Sequence, residues 1–314
     1  MYESFGVVAR QVFMLFLLMG VGAACHRFKF LSRETVKDLT SLLVLIVTPS
    51  LIVHVFQRPF DGALLAGLGW AVAAAFGAHV VGTLFAFLFV RGRESAQRGV
   101  LRFAVIFSNA GFMGLPLEYA ILGPRGVFFG AVYVVMFNLM CWSWGLMVMR
   151  GNFEGVSVRS FLVNPGTVGV ALGLPFFLCS VKIPAMIGEP VRMLAELNTP
   201  LAMLMTGWYL ADADLRPVLR CGSAYLVGLL RLVAVPIAVV GGMWVLKKCG
   251  FGLDATMCAA VATASAAPVA ALTTVIAARY DRDVPMATGL VSATTLVSML
   301  TMPPVVGFAM WLFV

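Results

Sequence analysis

The feature that most constrains this chain is a series of apolar runs, each about 20 residues or longer, that recur along its whole length. A helix of about 20 apolar residues crosses the roughly 30 Å hydrocarbon core of a bilayer. Charged residues make up only 11% of the sequence and hydrophobic residues 61%, which leaves too few ionisable groups for a water-facing surface. The sequence therefore predicts an all-α polytopic membrane protein with a lipid bilayer as its solvent.

Charged and turn-forming residues divide the apolar runs into ten predicted transmembrane helices, named spans 1 to 10. Their predicted bounds are 6–26, 36–56, 62–90, 98–121, 125–149, 159–180, 189–211, 217–247, 254–278 and 284–313. The connections after the odd-numbered spans carry most of the lysines and arginines, which favour the cytoplasm when loops are short. We therefore expect a multi-pass inner-membrane protein with both termini on the periplasmic or extracellular side. The net charge of +8 reflects this topology and not a nucleic-acid partner.

Short sequence segments recur in the same order in the two halves of the chain. The pairs are Glu34–Leu39 with Glu189–Leu194, Thr48-Pro49 with Thr199-Pro200, and Ser108–Gly111 with Ser265–Pro268. Because each half contains an odd number of spans, the second half enters the membrane with the opposite orientation. We predict two inverted five-helix repeats, residues 1–150 and 151–314, an architecture found in many secondary transporters.

Span 4 contains a polar and glycine-rich stretch, Ser108–Pro116, near its middle. Pro116 cannot donate a backbone hydrogen bond, and Gly111 and Gly114 favour unwinding. The matching stretch of span 9, Ala262–Pro268, is small, weakly polar and ends in proline. Two broken helices that cross would direct half-helix N-termini, with their partial positive charge, into one cavity and so favour an anion. The alternative is that both stretches are ordinary kinks with small residues for close packing.

The candidate substrate-binding residues lie on four spans. They are Ser108, Asn109, Gly111, Phe112, Gly114 and Pro116 on span 4, Asn138 on span 5, Thr199 and Met203 on span 7, and Thr263, Ser265 and Pro268 on span 9. An interhelical hydrogen bond is the alternative role for Asn138. The kinks at Thr48-Pro49 and Thr199-Pro200 either line the site or bend scaffold helices.

Three ionisable residues inside spans are candidates for coupling transport to a proton: His79, Glu118 and Arg231. Arg231 has two interpretations, a structural arginine that snorkels or pairs with carbonyl groups, or an electrostatic element near the permeation path. Crossover carbonyls could also bind sodium without leaving a sequence pattern. Uniport of an anion driven by the membrane potential is equally compatible with the sequence.

Catalytic motifs are absent from the sequence: it contains no His-Glu-x-x-His, Gly-x-Ser-x-Gly or phosphate-loop pattern. We therefore expect no enzyme activity, no catalytic residue, no metal site and no cofactor. The six cysteines show no Cys-x-x-Cys spacing and are interpreted as packing residues. A membrane-embedded sensor or receptor, which binds a small molecule without transport, is the alternative function because it would use the same cavity.

Several segments together resemble the auxin efflux carrier family, whose bacterial members are often named malate or malonate permeases. These segments are Phe107–Pro116 with Gly123, Asn164-Pro165, Thr199–Met203, and Arg231-Leu232 with Pro236. The resemblance covers nearly the whole chain and implies ten helices in two inverted repeats. It further implies a scaffold of spans 1, 2, 6 and 7, a moving transport domain of spans 3–5 and 8–10, elevator-type motion and usually a homodimer.

The family's crossover of spans 4 and 9 at the substrate site carries over onto Asn109, Gly111, Gly114 and Pro116, and onto Pro268. Unlike plant members, the chain has no long hydrophilic loop between its halves, which argues against auxin itself as the substrate. The predicted function is a secondary active transporter or uniporter for a small organic anion, a mono- or dicarboxylate that is auxin-like or malate/malonate-like.

Overall fold

The computed structural model describes residues 2–91, 95–151 and 165–314. Over these residues the chain is almost entirely helical and contains no β-strand. The helices are α1 (Tyr2–Arg27), α2 (Arg33–Phe56), α3 (Gly62–Phe89), α4 (Ser95–Ile106), α5 (Ala110–Arg150), α6 (Pro165–Leu178), α7 (Ala185–Glu196), α8 (Asn198–Asp212), α9 (Arg216–Leu219), α10 (Gly222–Lys248), α11 (Ala255–Ala266), α12 (Leu272–Arg279) and α13 (Val284–Phe313).

Within the described part of the chain, 6 helices are long and apolar enough to cross a membrane: α1, α2, α3, α5, α10 and α13. Shorter apolar helices occur at Thr167–Leu178 and Ala255–Ala266. This confirms the predicted all-α polytopic membrane protein. The ends of α1, α3 and α13 lie within a few residues of the predicted bounds of spans 1, 3 and 10, whereas the predicted boundary between spans 4 and 5 falls inside α5, where Gly123 has non-helical geometry. The count of ten spans stays a prediction. Arg93, the predicted junction at residues 152–159 and Asn164 lie outside the described residues.

Three of these helices contain a π-helical turn directly ahead of a proline. The pairs are Leu43–Val47 with Pro49, Ala110–Gly114 with Pro116, and Leu230–Ala234 with Pro236. A proline has no N–H, and its ring clashes with the carbonyl four residues earlier, which in each case lies inside the π turn. The wider turn, whose hydrogen bonds reach back five residues, accommodates this clash. These prolines therefore sit inside continuous helical segments.

The described helices pack in two groups. In one group, α1 packs against α8, and α2 packs against α6 and α7. In the other group, α5 packs against α11 and α3, α10 contacts both α3 and α11, and α13 packs against α11. The largest contact between the groups joins α1 to α13.

A buried hydrophobic cluster lies where the two groups meet. It includes Val8, Leu15 and Met19 of α1, Leu43 and Val47 of α2, Met113 and Leu117 of α5, Met203 of α8, Ala266 and Ala267 at the end of α11, and Met302 and Val306 of α13. The cluster therefore connects α1, α2 and α8 to the segments at which spans 4 and 9 are interrupted.

Candidate functional site at a helix crossover

Two helical spans are interrupted inside the protein, at residues 107–109 between α4 and α5 and at residues 267–271 between α11 and α12. The second interruption contains Pro268, at the predicted position. The first lies ahead of the glycines of span 4, because Ala110–Gly114 forms a π turn. The Asn109 carbonyl holds this turn by accepting the N–H groups of Met113 at 3.0 Å and Gly114 at 3.2 Å. The break therefore lies at the start of the predicted Ser108–Pro116 stretch, ahead of Gly111 and Pro116.

The two interruptions lie side by side and hydrogen-bond to each other. Ser108 and Val269 form an isolated antiparallel β-bridge. The Asn109 N–H donates to the Pro268 carbonyl at 2.7 Å, and the Ala270 N–H donates to the Phe107 carbonyl at 3.0 Å. Backbone groups that leave a helix inside a membrane must find partners within the protein. Each interruption thus supplies the partners that the other requires.

Arg231 joins the ends of the two helices that enter the crossover. Its guanidinium donates to the carbonyls of Val105, at 3.0 Å, and Ile106, at 3.1 Å, at the end of α4. It also donates to the carbonyl of Ser265 at the end of α11. The side chain is only 1% exposed. Terminal carbonyls of a helix carry partial negative charge, so one arginine offsets that charge on both helices. The structure thus shows carbonyl pairing of Arg231, and its position beside the crossover is also compatible with an electrostatic role near the permeation path.

Donor groups at the crossover remain unpaired on the side where α5 begins. Among the described residues, the backbone N–H groups of residues 110–112 and the side chain of Asn109 have no hydrogen bond. Asn109 is 6% exposed, and the neighbouring Gly111 and Phe112 are half-buried. A helix start carries partial positive charge, and the amide adds two further donors. This arrangement can bind an oxygen-rich anion.

Several candidate residues bond to their own helices. The Thr263 hydroxyl donates to the Ala259 carbonyl at 2.8 Å, and the Ser265 hydroxyl donates to the Ala262 carbonyl at 2.9 Å. Both side chains are fully buried. The Asn138 amide likewise donates 2.8 Å to the carbonyl of Val134, one turn earlier. Side-chain bonds of this kind satisfy small polar residues inside helices. The structure therefore does not direct these three side chains toward the unpaired donors.

The span 7 candidates lie on α8, in the other packing group. Met203 is fully buried in the cluster that also contains Met113. Thr199 is half-buried, and its neighbour Asn198 accepts a hydrogen bond of 3.0 Å from the Thr48 hydroxyl. The symmetry-related kinks of α2 and α8 are thus bonded to each other through buried polar side chains. Met203 brings α8 against the crossover.

His79 lies behind the crossover and faces aromatic side chains. Its Nδ1 donates to the Ala75 carbonyl at 2.7 Å, and its ring centroid lies 5.3 Å from that of Tyr133 and 5.6 Å from that of Phe107. The Ser108 hydroxyl lies 3.5 Å from the Tyr133 hydroxyl. The side chains of His79, Phe107, Ser108 and Tyr133 thus form one buried cluster of polar and aromatic groups.

Two residues at this site have no recognisable sequence signal. The hydroxyl of Thr294, on α13, accepts the Val269 N–H at 3.1 Å and donates to the Leu290 carbonyl at 2.7 Å. Tyr133 contacts Ser108 and His79. Both lie in long apolar helices among other residues of similar character, so only the tertiary structure distinguishes them. The internal repeat, in contrast, did indicate that Ser108 and the Pro268 region correspond.

Glu118, the remaining coupling candidate, lies on α5 about one turn beyond the end of the π turn. Its side chain is fully buried. Neither carboxyl oxygen has a hydrogen-bond partner within the described ranges. Glu118 therefore differs from the other two coupling candidates, because the side chains of Arg231 and His79 both form hydrogen bonds.

The helical fold with its paired interruptions defines a class of protein, the polytopic membrane transporters. The family model described as "Membrane transport protein" matches residues 7–160 and 152–306. The chain belongs to this family, and the match confirms the resemblance to auxin efflux carriers. An uncharacterized transporter of Methanothermobacter thermautotrophicus is 26% identical over 299 residues, which cover 93% of this chain and 95% of the relative.

Proposed function

We propose that the protein carries a small organic anion, a mono- or dicarboxylate, which binds at the crossover of the two interrupted spans. The observation that carries this proposal is the division of charge at the crossover. Arg231 occupies the carbonyl ends of α4 and α11, whereas the Asn109 side chain and the first N–H groups of α5 have no partner among the described residues. Carboxylate oxygens only accept hydrogen bonds and therefore complement this set of donors.

We further propose that transport proceeds by elevator-type alternating access. The scaffold would comprise α1, α2 and α6–α8, and the moving transport domain α3–α5 and α10–α13, in agreement with the two packing groups. The cluster between them contains four buried methionines, Met19, Met113, Met203 and Met302. Methionine side chains are unbranched and repack readily, so such an interface can change its contacts at low cost.

The remaining features of the proposal rest on the sequence and, for the homodimer, on the family resemblance. They are two inverted repeats of residues 1–150 and 151–314, an inner-membrane location with both termini outside, and assembly as a homodimer. Coupling to a proton or to sodium, or uniport driven by the membrane potential, completes the transport scheme.

The first test is thermal stabilisation of the purified protein by malonate, malate, succinate, lactate, indole-acetate and, as controls, neutral amino acids. A ligand that binds only the folded state at 100 times its Kd stabilises it by about 2.7 kcal/mol. We expect stabilisation by carboxylates alone, followed by saturable flux of the same compounds in proteoliposomes. Stabilisation without flux would identify a sensor or receptor instead. Stabilisation by neutral compounds alone would contradict the anion site.

Two substitutions test the location of the site. Asn109→Ala removes an amide that would hydrogen-bond the anion, an interaction worth about 1.5–3 kcal/mol, or roughly a 10- to 100-fold rise in Kd. Pro268→Leu loosens the backbone whose carbonyl accepts the Asn109 N–H. Both variants should insert into the membrane yet lose saturable uptake. The control is Glu189→Gln on the exposed face of α7. Unchanged kinetics in both site variants would refute the proposed location.

A further inference from the structure

Glu118 is a buried carboxyl group that the crossover itself does not use. It lies between Asn109 and Gly123, where the backbone of α5 leaves helical geometry with φ of 64°. At 1.5 Å per residue, it stands roughly 13 Å along the helix from Asn109. The side chain is fully buried, and both carboxyl oxygens are without a partner in the described part of the chain.

Glycines form the niche that holds this carboxyl group. A Cβ atom added to Gly130, beyond the break in α5, would overlap the Glu118 carboxyl. A Cβ at Gly114 would lie 3.7 Å from Glu118 Oε1 and 3.5 Å from the Cα atom of Ala264 on α11. The carboxyl group thus fills a space between α5 and α11 that is open only because residue 130 has no side chain.

No counter-ion for Glu118 comes from the helices that pack around α5. The titratable and charged groups are Tyr119, Arg125, Tyr133, Cys141 and Arg150 on α5, Arg10 and Cys25 to Arg27 on α1, Arg33, Glu34, Lys37, Asp38 and His54 on α2, His79 on α3, Arg98 and Arg102 on α4, Tyr209 and Asp212 on α8, Cys258 on α11 with Asp254 at its N-cap, and Arg279 on α12. Within the described residues, none of these groups hydrogen-bonds to either oxygen of the Glu118 carboxyl group. Arg231 on α10 is bonded to carbonyl groups instead.

An ionised carboxylate without a partner is far more costly to bury than the neutral acid. The dry niche at Gly130 therefore accommodates Glu118 with a proton attached. The same group can lose that proton only when water reaches it, which requires the helices around it to move. A carboxyl group that is neutral when enclosed and ionised when open can carry a proton across the membrane.

We propose that Glu118 is a proton-binding site that couples transport at the crossover to the proton gradient. This inference rests on the proposed function as a carrier. On the side to which the niche opens, hydronium transfers a proton to the carboxylate, leaving water and the carboxylic acid. The acid then crosses with the transport domain and returns the proton to water on the other side. The only covalent change is the formation and breaking of one O–H bond.

The test uses the full chain in proteoliposomes with radiolabelled malonate as the probe. In the native protein, an imposed pH gradient should drive malonate above its equilibrium distribution. Glu118→Gln, which resembles the neutral acid, should retain malonate counterflow while gradient-driven accumulation falls to the level without a gradient. Glu189→Gln, on the exposed face of α7, is the matched control and should behave as the native protein. Equal gradient-driven accumulation by Glu118→Gln would overturn the proposal.

An infrared measurement separates this proposal from the proposed function. The difference spectrum between native protein and Glu118→Gln should contain the C=O stretch of a protonated carboxylic acid, with an intensity that responds to the pH of the medium. A missing or pH-insensitive band would overturn proton binding at Glu118. If the native protein exchanges no malonate, the dicarboxylate function fails, and the infrared band then decides the proton site by itself.

A pair of variants tests the niche independently of transport. Gly130→Ala should lower the thermal stability of the native protein because the new methyl group would displace the Glu118 carboxyl. The same substitution in a Glu118→Ala background should be tolerated, since the overlapping atoms are then absent. An equal loss of stability in both backgrounds would show that the carboxyl group does not occupy this space, and would remove the geometric basis of the proposal.

Discussion

Arg231 is expected to fix the geometry of the crossover, and Arg231→Met is the substitution that tests this role. Methionine keeps an unbranched apolar side chain but has no hydrogen-bond donor. The carbonyls of Val105, Ile106 and Ser265 would then lose the donor that the guanidinium supplies. The ends of α4 and α11 would no longer be joined through a common side chain.

The expected magnitude follows from the three lost bonds. Hydrogen bonds to a charged group contribute about 1.5–3 kcal/mol each, or about 4.5–9 kcal/mol for three. Methionine carries no charge that folding must remove from water, which offsets part of this loss. The three carbonyls left without a donor cost about 1–3 kcal/mol each, so we expect Arg231→Met to lower the free energy of unfolding by at least about 3 kcal/mol. Arg231→Lys keeps the charge but lacks the planar fork that reaches both helices, and should show an intermediate loss.

The assay is chemical unfolding in mixed micelles followed by tryptophan fluorescence, together with uptake kinetics of the folded fraction. Because α4 and α11 lead directly into the crossover, the KM of the folded variant should rise as well. Arg192→Met is the matched control: its guanidinium bonds the exposed carboxylates of Glu189 and Glu196. Surface ion pairs of this kind contribute up to about 1 kcal/mol.

The outcome that refutes this reasoning is an equal unfolding free energy for Arg231→Met and Arg192→Met. The carbonyl bonds would then contribute no more than a surface ion pair. A stability loss with an unchanged KM would show instead that Arg231 supports the fold without setting the geometry of the site.

Two further predictions concern the helices of the proposed scaffold. Gly22→Ala would place a methyl group against the backbone of Leu204 and should cost about 1–3 kcal/mol of unfolding free energy. The control, Gly20→Ala, faces open space and should not destabilise the protein. Equal effects of the two substitutions would contradict the close α1–α8 contact. Thr48→Val removes the hydrogen bond to Asn198 and should cost about 0.6–1.7 kcal/mol of unfolding free energy. Asn198→Leu should then cost less in the Thr48→Val background than in the native protein. Additive losses in this double-mutant cycle would show that the two side chains do not interact.

The spans could be predicted from the sequence because the bilayer imposes a length and an apolar character on any helix that crosses it. The position at which span 4 unwinds could not be predicted in the same way. The predicted stretch was Ser108–Pro116, and within it Gly111, Gly114 and Pro116 do not interrupt the helix, because the π turn accommodates this proline. The backbone leaves the helix at residues 107–109 because the Pro268 region supplies hydrogen bonds there. The internal repeat predicts that these regions correspond, but not which carbonyl accepts which N–H.

The candidate site was only partly predictable for a related reason. Thr263 and Ser265 resemble ligand donors in the sequence, yet carbonyls of their own helix satisfy both hydroxyls. Arg231 stands alone in span 8, and its partners on α4 lie about 125 residues earlier. A single sequence shows that an arginine in a membrane needs acceptors, but the packing of α10 against the crossover decides which acceptors it finds.

The ligand preference of the crossover depends on how its helix ends are distributed. Two helices end there and two begin, so their partial charges would largely cancel if all four ends faced the same space. Arg231 prevents this cancellation because its guanidinium is bonded to the ends of α4 and α11. In the proposed site, the donors at the start of α5 would bind the anion while Arg231 compensates the two carbonyl ends. A protonated Glu118, as proposed, would add no negative charge to oppose an anion at Asn109.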